Sequence, residues 1–131
     1  MRAICNNNRG QTLPAHLLSL GYTQQSSFTV SVGREYQVFA MALWRGVVLL
    51  LLADDHHLPN WFPVHLFSVT DSRLPEDWLF QKSESENGML QALWGYEQLI
   101  RDATHYEGLI EREPEALRCF YEEEGRRLRC D

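Results

Sequence analysis

Hydrophobic and polar positions follow a period of two through the first half of the chain and a helical period near its end. Phe28, Val30 and Val32 fall on alternate positions of 27–32, and Tyr36, Val38 and Ala40 resume the alternation after Gly33-Arg34. That is strand spacing interrupted by a turn. Residues 47–53 are apolar without a break. A strand with one face in water alternates, so this one is predicted to be buried on both faces, one toward the sheet core and one beneath C-terminal helices. Trp44-Arg45-Gly46 reads as the turn of the hairpin that leads into it. Shorter strands are predicted at 1–5, 61–63, 66–69 and 78–80. Leu13-Pro14 opens a short helix with Leu17 and Leu18 on its apolar face and Gly21 as its stop, since proline suits a first helical position.

The pattern changes after Lys82. Ser83-Glu84-Ser85-Glu86-Asn87-Gly88 contains no apolar residue and reads as a solvated connection. Residues 89–94 fit a helix or a strand, and Gly95 breaks either one. Asp102 is a suitable N-cap for a helix in which Tyr106, Leu109 and Ile110 share a face. Glu113-Pro114 opens a second helix, with Ala116, Leu117, Phe120 and Tyr121 on one stripe, Glu122, Glu123 and Glu124 off it, and Gly125 as its end. No internal repeat is present.

The run Asn60-Trp61-Phe62-Pro63-Val64-His65-Leu66-Phe67-Ser68-Val69-Thr70-Asp71 resembles the closing segment of an SH3-type barrel. In that family a strand ends at a Phe-Pro pair, a single 3₁₀ turn follows, and a last short strand closes the barrel. The resemblance implies an α+β protein in one domain, with a small SH3-like barrel over 1–82 and a helical segment over 83–131 packed on it. Pro63 and Phe67 match part of the groove with which SH3 domains take proline-rich peptides. The Ala-Leu-Tyr-Asp-Tyr signature is missing, so only the architecture carries over.

With 131 residues the chain is long enough for one core. Eighteen acidic against twelve basic side chains give a net charge of −6, which opposes a nucleic-acid backbone and favours a basic protein partner. Cys5, Cys119 and Cys130 form neither a disulfide framework nor a zinc pattern. The N-terminus does not read as a signal peptide, and a cytoplasmic location is expected. The apolar stretch 38–53 is too short for a membrane span and is broken by Arg45-Gly46.

Asp54-Asp55-His56-His57 is the densest group of candidate ligands. Adjacent residues of an extended chain point to opposite sides, so a solvated loop is the plainer reading and no metal or other cofactor is expected. No Ser or Cys stands in a nucleophile pattern, and no glycine-rich phosphate loop occurs, so an enzyme is not expected. Aromatic residues are the stronger signal: Trp44 and Trp61 are expected to be exposed, with Trp78 and Trp94 packed where the helical segment meets the barrel.

Taken over the whole chain, segments such as Leu43-Trp44-Arg45-Gly46, Leu52-Ala53-Asp54-Asp55, Trp94-Gly95-Tyr96-Glu97 and residues 109–117 are similar in style to immunity proteins encoded beside bacterial polymorphic toxins, including those of contact-dependent inhibition systems. The resemblance implies binding and occlusion of a cognate, basic toxin domain. The residues expected to carry it are Asp54, Asp55, His57 and Trp61 on one loop, with Glu122, Glu123 and Glu124 as a second patch. The alternatives are a nucleic-acid-associated Sm- or Tudor-like barrel and a small metal-dependent enzyme using His56 and His57.

Overall fold

The computed structural model describes residues 1–83 and 88–130. Its strands form two antiparallel sheets. A three-stranded sheet has the order β2-β1-β6, from β1 (Arg2–Cys5), β2 (Glu35–Gln37) and β6 (Phe67–Asp71). A five-stranded sheet has the order β5-β4-β3-β8-β7, from β3 (Ala40–Trp44), β4 (Val47–Ala53), β5 (Pro59–Pro63), β7 (Leu79–Lys82) and β8 (Leu90–Gly95). The helices are α1 (Ala15–Leu18), α2 (Glu97–Arg101), α3 (Ala103–Glu111) and α4 (Pro114–Cys130). The protein is therefore α+β.

Val38 and Phe39 carry the chain from one sheet to the other. Val38 N donates to Met1 O (3.0 Å) beside the small sheet, and Phe39 N donates to Leu51 O (2.8 Å) on β4 of the large one. The β3–β4 hairpin turns on Arg45 and Gly46, with φ of 49° and 80°, the left-handed pair that a two-residue turn needs to match strand twist.

β4 is buried on both faces, as its uninterrupted apolar run predicts. Opposed residues of antiparallel strands share a face, so Ala42, Leu49, Leu51 and Trp61 lie together and Leu50, Leu52 and Phe62 lie on the other side. The first face is covered by α2 and α3: Trp61 and Tyr106 have ring centroids 6.1 Å apart. The second meets the small sheet, where Phe62 and Phe67 are 6.4 Å apart. Phe120 of α4 is fully buried against Phe39, with centroids at 5.0 Å.

Several expectations are corrected. The sheets do not close into a barrel: β6 pairs with β1, while β5 and β7 form the two edges of the larger sheet. The 3₁₀ turn Val64–Leu66 lies between β5 and β6 as expected, but the residues matching the SH3 groove are interior, Pro63 being fully buried and Phe67 8% exposed. The segment beyond Lys82 is not wholly helical, because β8 pairs with both β3 and β7. Of the expected solvated connection, Glu84, Ser85, Glu86 and Asn87 lie outside the described residues.

Residues 27–32 form no strand beyond a single bridge at Ser27. Their polar groups bond irregular partners instead: Phe28 N reaches Asn8 O, Asn8 Nδ2 reaches Val30 O, and Ser31 N reaches the Tyr36 hydroxyl. Gly125 does not end α4, whose last turns are held by ion pairs from Arg126 and Arg127 to Asp77. No helix among the described residues is long and apolar enough to cross a membrane.

Candidate functional site

The turn between β4 and β5 contains the Asp-Asp-His-His run, and the side chains of Asp54, Asp55 and His57 are engaged within the fold. Asp54 is 4% exposed. Its Oδ1 accepts from the amides of His56 (2.9 Å) and Leu58 (3.0 Å), and its Oδ2 from Thr29 Oγ1 (2.6 Å) and Asn60 Nδ2 (2.9 Å). Burial pushes this carboxyl up, but the four hydrogen bonds outweigh it and hold the group below its ordinary range. Asp55 accepts from Ser31 Oγ (2.6 Å), Tyr36 OH (2.6 Å) and Arg34 Nη1 (2.8 Å). Both aspartates thus tie the irregular segment before β2 to the β4–β5 turn; of the expected solvated loop, Asp54 is buried while Asp55, His56 and His57 are exposed.

His57 adopts a φ of 60° and is exposed. Its Nε2 donates to Glu124 Oε1 at 2.7 Å, and its carbonyl accepts from Tyr121 OH at 2.6 Å. Asp54, Asp55, His57 and Glu124 do come together, around a cleft of about 290 Å³ that Arg2, Arg34 and Glu35 also line. The cleft is mixed in charge, with four carboxylates, Glu35, Asp54, Asp55 and Glu124, beside the guanidiniums of Arg2 and Arg34.

Glu122, Glu123 and Glu124 diverge. Glu122 pairs with Arg118 on the helix surface. Glu123 accepts from Arg126 Nη2 (2.7 Å) and Arg127 Nε (2.9 Å), in a network with Asp77. The expected second acidic patch is therefore three separate contacts. Among the described residues no group of three or more His, Cys, Asp or Glu side chains is placed to hold a metal ion.

Trp61 belongs to a different site. It lines a groove of about 240 Å³ with Tyr22, Trp44, Tyr106 and Ile110, floored by Ala42 and Leu49. The groove continues along Trp44 and Tyr106 into a wider cleft of about 530 Å³ lined by Met89, Leu90 and Ile100. Trp44 and Trp61 are half-buried rather than fully exposed. Ile110 is 57% exposed, and the indole Nε1 of Trp61 is buried without a hydrogen-bond partner. Trp78 packs on the core as expected, whereas Trp94 stacks on Phe80 of the neighbouring strand, centroids 5.1 Å apart.

The contributions of Tyr22 and Ile110 are not visible in the sequence alone. Ile110 has the helical spacing of a core residue, yet Leu109 beside it is buried while Ile110 is left at the surface.

Comparison of the chain with protein-family models, with curated proteins and with solved structures found no match.

Proposed function

We propose that this chain is a protein-binding module that neutralises a cognate bacterial toxin by covering its working surface. The observation that carries this reading is the aromatic groove of Trp44, Trp61, Tyr106 and Tyr22 beside the exposed Ile110. Tryptophan and tyrosine dominate interface hot spots because they bury large areas and keep a polar handle.

The net charge of −6 adds electrostatic steering toward a basic partner, which raises the association rate. The strand–3₁₀–strand passage from β5 to β6, with β1 pairing both β2 and β6, supports an SH3-like relationship between the sheets. With Pro63 and Phe67 interior, binding is assigned to the groove beneath α3 and not to an SH3 peptide site.

The test is co-expression of the chain with the product of the neighbouring open reading frame in its host. The expected result is a stoichiometric complex with a protein that is toxic alone and harmless in the complex. A neighbour that is harmless alone, or whose toxicity the chain leaves unchanged, refutes the reading.

A further inference from the structure

We infer that the open edge of β7 takes an extended strand of the protein partner, paired antiparallel, and that one apolar side chain of that strand enters the cleft of about 530 Å³ between the sheet and α2 and α3. This rests on the protein-binding reading above and names the form in which the partner presents itself.

The register of β7 fixes which of its backbone groups are free. Ser83 N donates to Gln91 O at 3.0 Å. Lys82 is opposite Ala92, so Ser83 and Gln91 are directly opposed and form a hydrogen-bonded pair. Such pairs alternate along antiparallel strands. Leu79 and Gln81 therefore bond β8, whereas the N–H and C=O of Phe80 and Lys82 point away from it. Those outward groups have no backbone partner among the described residues. Phe80, Gln81 and Lys82 are all exposed.

An unpaired row of this kind is a template for another strand. The other edges are less open. β5 begins and ends on proline, β2 has three residues, and β6 skips a residue between Val69 and Asp71 in its pairing with β1.

The second observation is the cleft beside this edge. Gln81 is opposite Leu93, which is opposite Ala42 on the face that α2 and α3 cover. Gln81 and Ser83 form the cleft's rim on the β7 side, and the buried side chains of Leu93, Leu99 and Ile100 line it. Opposed residues share a face, so the partner residue facing Gln81 turns its side chain into this apolar cleft. Its two neighbours exchange hydrogen bonds with Phe80 and Lys82. Main-chain bonds then give affinity, and the side-chain cleft gives specificity.

Lys82 projects from the far face with Phe80. An edge lysine guards against indiscriminate pairing, and an acid directly opposite it is the favourable cross-strand partner. From its N-terminal end, the partner strand therefore carries an acid facing Lys82, an apolar residue facing Gln81 and a third residue facing Phe80. The cleft runs on past Trp44 and Tyr106 into the aromatic groove, so one partner can fill both.

The experiment titrates the full chain with acetyl-Thr-Glu-Leu-Ser-Thr-amide and follows the backbone amides by ¹H–¹⁵N NMR. The expected result is saturable movement at Phe80 and Lys82, with a smaller response at Gln81, whose N–H faces β8. Methylating the serine nitrogen removes the donor to Phe80 O and should weaken binding roughly tenfold, whereas methylating the leucine nitrogen, which points away, should not. Replacing the leucine by alanine should also weaken binding roughly tenfold. In the protein, Phe80→Pro removes the outward N–H and leaves the β8 ladder intact, since an edge tolerates proline there. It should bind roughly tenfold more weakly, whereas Phe80→Ala keeps the N–H and should bind like the parent.

No saturable movement at millimolar peptide overturns the inference. So does equal binding of the two methylated peptides, or an alanine peptide that binds as well as the leucine one. If the toxin is neutralised on co-expression and the peptide does not bind, the edge assignment falls and the protein-binding reading stands. If the peptide binds as expected and the neighbour is not neutralised, β7 remains a strand-binding edge and the toxin reading falls.

Discussion

His57, on the turn between β4 and β5, donates from Nε2 to Glu124 Oε1 on α4 at 2.7 Å, across 67 positions of the chain. Tyr121, one helical turn before Glu124, donates its hydroxyl to the carbonyl of the same histidine at 2.6 Å. The two contacts fasten the last helix to the large sheet. The contact is solvated, the His57 side chain being 66% exposed, and exposed contacts of this kind contribute about 0–1 kcal/mol. The hydrogen bond to the carbonyl contributes about 0.5–1.5 kcal/mol. Tyr121→Phe should therefore lower the unfolding free energy more than Glu124→Gln does, as chemical denaturation of the two variants will show.

Asp54→Asn should be costly although it changes hardly any volume. The carboxylate accepts four hydrogen bonds, two at each oxygen. An amide nitrogen in place of Oδ2 can donate to the Thr29 hydroxyl but faces the Asn60 amide donor-to-donor. Asn60 cannot simply flip, because its Oδ1 accepts from Arg112 Nη2. The expected loss is about 1–3 kcal/mol in denaturant titrations.

Stability should fall in acid in two stages. Burial pushes the His105 ring down, opposed by the Asp102 charge. Its contribution is complete above the unfolded value of about 6.5 and is lost as pH falls toward the depressed folded value. Asp54, Asp55 and Asp77 are also held below the ordinary carboxylate range, hydrogen bonds and nearby arginines outweighing burial. Their contribution is complete above about pH 4 and is lost below it. The Tm should be flat between about pH 7 and 8, decline gently below about 6.5 and drop steeply below about 4. A Tm that rises between pH 6.5 and 5 would contradict this assignment.

What the sequence made legible follows from where the physics is local. The apolar run of β4, the Arg45-Gly46 turn, the Asp102 cap and the 3₁₀ turn after Pro63 all depend on near neighbours, and each stands in the structure. The misread elements depend on distant partners. Phe28, Val30 and Val32 alternate like a strand, but their polar groups go to Asn8 and Tyr36 rather than to a ladder. Asp54 reads in sequence as part of a solvated loop because nothing near it announces Thr29, 25 positions away. The groove was half legible: the tryptophans stand out by type, whereas Tyr22 and Ile110 become its walls only when α3 crosses the sheet.

Gly108→Ala tests the close approach of α3 to α4. A Cβ at this position would lie 2.8 Å from the Ala116 Cβ, with Glu113 Cβ at 3.5 Å. Ala116 has no side chain left to rotate away, so a helix must shift. Alanine gains up to about 1 kcal/mol in helix propensity over glycine, while overpacking costs about 1–3 kcal/mol. The clash should win, and the variant should melt at a lower temperature than the parent.

Trp44→Ala addresses the groove itself. Trp44 lines both the narrow groove and the wider cleft beside it, and the Arg45 guanidinium lies 5.5 Å from its ring centroid. The ring is half-buried, so truncation should cost folding about 1–3 kcal/mol and leave a folded chain. A hot-spot tryptophan contributes about 2 kcal/mol or more to binding, roughly thirtyfold in Kd. The matched control is Phe80→Ala. Phe80 is 57% exposed and pairs with Trp94, which pairs with Met41. That register puts it on the opposite face of the same sheet. Affinity for the partner, measured by calorimetry on both folded variants, should fall for Trp44→Ala and stay unchanged for Phe80→Ala. A loss confined to Phe80→Ala moves the interface to the opposite face, and a loss at neither position removes the groove from it.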